Sequence, residues 1–404
     1  MANIAQLKHL EHLEDEMLNY GVDGCKAAVG FLQELRKMLG CDNSTGFMQT
    51  KWDGAPSIIC GKDPANGHFF VGTKSVFNKE NPKICYGADQ IDEWYSSQAN
   101  LAAGLKLALE HFSQLGIDGV IQGDFLFTAA TRKTETIHGE RLYTFTPNTI
   151  TYGIPVDHPL GKDVGAAKVG VVFHTHYVGE KEGWDISNMT ARAGAKVKSS
   201  KDVVCIQNDT PMDRVGLNHA EEVKFDSMVS CIDRDCKKCG DFLDELTQLS
   251  GTTGDAKWHV SSYLKQFFND QIKKQKTISN PTQALEDLTN FYHSKVKPMA
   301  DKLKTPAAQV QKKTLIYDSE NYLMNNAEKF KAMLHLYKEI QEIKQFVIDK
   351  LDHLETFKTY VQTDQGYKVT TPEGYVLHKD GDMIKFVNRL EFSYNNFSVA
   401  KKWR

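Results

Sequence analysis

A chain of 404 residues can hold about two to three domains and a large buried core, and 41% hydrophobic, 25% charged and 10% aromatic residues mark an ordinary globular protein. A net charge of −3, from 49 Lys and Arg against 52 Asp and Glu, excludes a protein held on nucleic acid by its overall charge and leaves only a local basic groove. The acidic opening "MANIAQLKHLEHLEDEM" is unlike a signal peptide, and no 18-residue apolar run occurs, so the sequence predicts no membrane partner and a cytoplasmic location.

In chain order, residues 4–40 predict two helices broken at Gly21. Ile4, Leu7, Leu10, Leu13 and Met17 share a face of the first, and Val29, Leu32, Leu35 and Leu39 a face of the second. Short β-prone runs follow over 46–88, "SIIC" and "HFFVGTKSVF", around the turn "GKDPANG". Residues 89–116 read as a helix through Ile91, Trp94, Leu101, Leu105, Leu109 and Phe112, ended by Gly116. Strands resume at 119–127, 142–154 and 168–179. Over 185–256 the periodicity weakens and polar loops such as "LSGTTGDA" intervene, after which the chain is helical nearly to 360.

The longest helix spans Ala327 to Phe357, with Phe330, Leu334, Tyr337, Ile340, Ile343, Val347, Leu351 and Leu354 as a packing stripe. Strands return after Gln365 as "GYKVTT", "GYVLHK" and "MIKFVNR", turning at "PEG" and "KDGD". The expected architecture is α+β, with a large helical insertion in a β-rich domain: a helical segment at 1–45, the β-rich domain at 46–184, a mainly helical block at 185–365, and the domain's final strands at 366–404.

Eight cysteines in a chain of this kind read as reduced thiols. Three of them, Cys231, Cys236 and Cys239, have a C-x4-C-x2-C spacing that could hold Zn²⁺ with His219 or His259, or could simply be half-buried thiols at the start of a helix. His174 and His176 are expected on one face of a strand, where they could bind a metal but, without a third nearby ligand, rather line a cleft or pack. Basic clusters at 192–201, 273–276 and 295–304 could follow a phosphate backbone or be ordinary solvated helix charge, and Trp403 in the tail could stack on a base.

Four short elements carry the chemistry. Lys51-Trp52-Asp53-Gly54 opens "KWDGAPSI", Lys74 lies in "FVGTKSV", Asp124 in "IQGDFLF", and Glu373 and Lys385 in "PEGYVLHK" and "MIKFVNR". Singly each is weak, since Asp-Gly favours a turn and a lysine beside one is usually solvated. Their order resembles the covalent nucleotidyltransferases, the superfamily of ATP-dependent RNA and DNA ligases and mRNA capping enzymes, over roughly residues 46–180 and 366–392. A branch in large tailed bacteriophages is also similar.

The resemblance implies that Lys51 attacks the α-phosphate of ATP to give a lysyl-AMP, with Asp53 and Gly54 completing the motif. It implies that Lys74 and Lys385 meet phosphates, Asp124 and Glu373 serve Mg²⁺, and Phe173 stacks on the purine. Pro56 stands where many DNA ligases have arginine, and Lys74-Ser75 where Ser-Arg is frequent. Only 19 residues follow Lys385, too few for an OB-fold, which turns the expectation toward an ATP-dependent RNA ligase acting on RNA ends. DNA ligation, guanylyl transfer and a catalytically silent nucleotide-binding protein remain the alternatives.

Overall fold

The computed structural model describes residues 11–40, 43–179, 186–195, 197–206, 209–210, 212, 215–352, 357–363 and 366–393. Ile4, Leu7, Leu10, Leu354 and Trp403 lie outside them.

A 3-10 turn at Leu13–Asp15 leads into α1 (Glu16–Leu39). The expected break at Gly21 is a kink within it, with φ 58° and an ideal Cβ 2.1 Å from Asp244 Oδ1, so that only glycine fits. Strands β1 (Phe47–Lys51), β2 (Ser57–Lys62) and β3 (Phe69–Gly72) follow, then a 3-10 turn at Lys74–Phe77. Lys74 therefore opens a turn, with Thr73 capping it, instead of lying in the expected strand. The single helix expected over 89–116 is two, α2 (Ala88–Tyr95) and α3 (Ala99–Phe112), and Gly116 is left-handed at φ 66°.

Next come β4 (Val120–Thr128), β5 (Lys133–Ile137), β6 (Glu140–Phe145), β7 (Thr151–Pro155), α4 (Pro159–Ala166), β8 (Val169–Val178), β9 (Thr190–Ala193) and β10 (Val203–Cys205). The helices α5 (His219–Leu249), α6 (Leu264–Lys273), α7 (Pro281–Asp301), α8 (Pro306–Asn325) and α9 (Ala327–Leu351) form the helical block. Four strands close the described chain: β11 (Lys358–Thr363), β12 (Gly366–Val369), β13 (Gly374–Lys379) and β14 (Asp382–Phe386). The molecule is α+β.

Among the described residues there are three sheets, in the orders β1-β13-β14, β10-β8-β4-β2-β3 with β9 also on β8, and β12-β11-β7-β6-β5. Because β9 and β10 pair with β8, the β-rich part extends past 184 to about 206. The helical block is not separate either. Leu32 and Leu35 of α1, Leu243 of α5, Phe267 of α6 and Tyr337 and Ile340 of α9 share one core with Tyr375, Leu377, Ile384 and Phe386 of β13 and β14. Burying each such Leu, Ile or Phe is worth roughly 1.5–3 kcal/mol, so the helices hold the first sheet firmly from behind. Among the described residues no helix is long and apolar enough to cross a membrane.

Candidate functional site

Period-two alternation builds one wall of a cavity. On β13, Tyr375 and Leu377 face the helical core and Val376 and His378 the cavity; on β14, Ile384 and Phe386 face the core and Met383 and Lys385 the cavity. β1 runs antiparallel to β13 with Lys51 opposite Gly374, so the end of the "KWDG" strand meets the "PEG" turn. The opposite wall is β4 and β8, giving Gln122, Asp124, Val172, His174, Thr175 and Tyr177. The cavity between the two sheets measures about 350 Å³, within the range of small-molecule sites.

Lys51, Lys74, Asp124 and Lys385 all line this cavity, and Glu373 forms an ion pair with Lys51 through Oε1. Its other oxygen, Oε2, is buried without a partner. Burial opposes the Lys51 charge, but Glu373, with Asp124 and Asp53 behind it, outweighs that and holds the ammonium above the ordinary lysine value. Burial pushes Glu373 up to about 7 even with Lys51 beside it. Lys385 is held below the ordinary value, first by burial and then by the Lys51 ammonium. Asp124 lies 3.5 Å from His174 Nε2. Burial resists its charge too, but the hydrogen bond and charge of His174, with Lys51 and Ser57, hold it below the usual carboxylate range.

Gly54 is fixed by close approach. An ideal Cβ there would stand 2.5 Å from Asp124 Cβ and 3.1 Å from the Phe125 carbonyl oxygen. The amide N–H groups of Ala55 and Phe125 donate across this contact, to Phe125 O at 2.9 Å and Pro56 O at 3.1 Å. Asp53 is not in the cavity. It is 5% exposed and accepts from Asn148 Nδ2 at 2.8 Å, Thr149 N at 2.8 Å and Ile150 N at 3.0 Å, tying the lysine motif to the β6–β7 turn.

Phe173 also departs from expectation. It packs in the core behind the second sheet with Phe112 and Phe125 and lines no part of the cavity. Phe173 shares its face with Val169 and Val171, while Val172 lines the cavity. A β-bulge follows: Gln122 pairs with Thr175 but Gly123 with Phe173, leaving His174 as the extra residue. Gly123 permits it, since a Cβ there would stand 2.4 Å from the Val172 carbonyl oxygen. Beyond the bulge the strand's parity flips, so Thr175 and Tyr177 join His174 in the cavity. His176 turns away from its expected neighbour, with Nδ1 2.6 Å from Gly194 O.

Gln122, Ser57, Tyr177 and His378 are cavity residues that the sequence did not single out. Gln122 was findable, since it precedes Asp124 by two on one strand and so shares its face. Its amide donates to Ser57 Oγ at 3.0 Å and accepts from Tyr177 Oη at 2.5 Å. His378 stacks on Phe47 with centroids 4.3 Å apart, and burial lowers it to about 4, so it stays neutral.

Among the described residues, the cysteine triplet does not come together as a metal site. All three residues lie inside α5, where Cys236 and Cys239 are buried against α1 and the neighbouring helices. The Cys236 thiol is held up by its hydrogen bond with Cys25 and by burial, and burial pushes Cys239 up to about 11. His259 accepts from Ser261 N and meets the Tyr322 ring edge-on. Among the described residues, the group close enough to hold a metal ion is Asp235, His335 and Glu339, which includes no cysteine.

The chain belongs to a family of unknown function, DUF6267, whose family model matches residues 3–401. No curated protein and no solved structure matches it.

Proposed function

We propose that this DUF6267 chain is an ATP-dependent polynucleotide ligase with a nucleotidyltransferase-type catalytic domain, joining RNA ends through a lysyl-AMP on Lys51. The observation that carries the reading is convergence. Lys51, Lys74, Asp124 and Lys385, spread over 335 positions of the chain, line one cavity of about 350 Å³, and Glu373 reaches it through its ion pair with Lys51.

The donors suit the substrate. Three lysines match a triphosphate, and Asp124 with the unpartnered Glu373 Oε2 are hard oxygen donors of the kind magnesium takes. When bound, magnesium would neutralise charge on the leaving pyrophosphate. Lys51 must first lose a proton, and Glu373, paired to it and raised to about 7, is placed to accept it. The Lys51 nitrogen lone pair then forms a bond to the α-phosphorus. The bond from that phosphorus to the oxygen bridging to the β-phosphate breaks, and pyrophosphate leaves with the electron pair. Lys385 and Lys74 supply positive charge where it develops. Transfer of the AMP to a 5′-phosphate and attack by a 3′-hydroxyl complete the cycle.

Pro56 and Lys74-Ser75 depart from the DNA ligase pattern and favour RNA. The Lys51–Glu373 ion pair favours a second reading, a nucleotide-binding protein without turnover, because an ammonium held charged is not a nucleophile. Strand-joining assays with 5′-phosphorylated RNA and DNA, and a GTP-dependent cap-transfer assay, separate these. RNA joined by the wild type and not by Lys51→Ala supports the proposal; no joining of either polymer contradicts it.

A further inference from the structure

Behind the cavity, one short segment grips β14 and the turn that follows it. Lys385 N donates to Glu11 O at 2.9 Å and His12 bridges the same residue, so residues 11–12 lie along the Lys385 backbone. Two residues further on, Glu14 and Asp15 hold Arg389, which follows Lys385 by one four-residue step. Arg389 Nη1 donates to Glu14 Oε1 at 3.2 Å, Asp15 Oδ1 at 3.1 Å and Tyr337 Oη at 3.1 Å, and Nη2 to Asn269 Oδ1 at 2.7 Å.

Lys344 of α9 closes the cluster on Glu14, at 2.5 and 2.7 Å. Glu14 is 0% exposed, Lys344 4% and Arg389 7%. Burying four charged groups is expensive unless they are matched, and here two carboxylates face two cations, Lys344 of α9 and Arg389 just beyond β14, with Asn269 of α6 accepting from the second. Apolar side chains would fill that space at no such cost. What the charges add is geometry: a guanidinium fork fixes direction as well as distance.

We propose that Arg389 is a positioning residue for Lys385, and that the Glu14–Asp15–Lys344–Arg389 cluster makes the helical layer part of the cavity's phosphate-facing wall. The role given to Lys385 rests on the ligase reading; its placement does not. The charged and titratable groups around the Lys385 amine are Lys51 and Glu373 on the cavity side and Glu11, His12 and Arg389 behind.

The test is Arg389→Lys, which keeps the charge and loses the fork, with Lys344→Met as a second variant should the first fold poorly. Trace acylation of the folded full-length protein across pH, read by peptide mass spectrometry, gives the midpoint of Lys385 reactivity without any need for activity. A displaced Lys385 moves toward water, and its midpoint rises toward the ordinary lysine value while that of an exposed control such as Lys237 stays put. Where the wild type takes label from ATP, the same variant raises the KM for ATP about tenfold or more, as displacement of a phosphate contact by a fraction of an ångström does. A variant with a lower urea midpoint but an unchanged Lys385 midpoint makes the cluster a strut only and overturns the inference. Absence of ATP labelling in the wild type is a different failure, that of the ligase reading, and leaves the acylation comparison to decide.

Discussion

Replacing Glu373 by Gln keeps the shape of the side chain and removes its titration. The native carboxyl stands at about 7 against an ordinary 4.5, a difference equivalent to about 3 kcal/mol. A group raised in the native state binds its proton more tightly when folded. Its contribution is therefore complete below about pH 4.5 and is lost as pH rises through about 7. Urea unfolding of the wild type and Glu373→Gln at half-unit steps from about pH 4 to pH 8 reads this term, because every titrating group not coupled to Glu373 cancels between the two, and the change in Lys51 is read separately. Wild type should lose about 3 kcal/mol relative to the variant across that window. A difference that stays flat, or a wild type that gains on the variant as pH rises, would show that Lys51 dominates Glu373 and refute the reasoning. The amine gives a second readout: without its countercharge, Lys51 should acylate at lower pH, with the rate at fixed pH rising about tenfold for each unit its pKa falls.

Gly54→Ala places a methyl group against Asp124 and should cost about 1–3 kcal/mol in urea unfolding while also weakening ATP labelling. Asp53→Asn removes an acceptor shared by two backbone N–H groups and should cost about 1–3 kcal/mol. A raised KM for ATP with unchanged stability would instead make Asp53 a direct nucleotide contact. Phe173→Ala should lose about 3–5 kcal/mol of stability and leave the KM for ATP alone in the folded fraction. A KM effect that outruns the stability loss would restore the stacking role.

The nucleophile strand and the C-terminal pair were legible because alternation in "GYVLHK" and "MIKFVNR" separates core from cavity residue by residue. The facing of His176 was not. A one-residue bulge at His174 reverses which side chains face the cavity, and nothing in "VVFHTHY" marks it apart from Gly123 on the partner strand. Asp53 was misassigned because its partners, Asn148 to Ile150, are nearly a hundred residues away. Helix α5 begins at a capping box, Asn218 with Glu221, which was readable, but a face shared between α1 and α9 blurs its periodicity. The cluster at Glu14 was hidden for a similar reason. Its members lie at positions 14, 15, 344 and 389, each an unremarkable surface-type residue in its own window.

The most direct test of the central claim is covalent labelling. Purified protein is incubated with magnesium and ATP labelled at the α-phosphate, denatured, and examined for label that survives. The expected result is one label per chain, acid-labile as a phosphoramidate is, mapping to Lys51, absent from Lys51→Ala and far weaker with GTP. Folded protein free of pre-bound AMP that takes no label from ATP, or takes it equally well in Lys51→Ala, would contradict the lysyl-AMP mechanism.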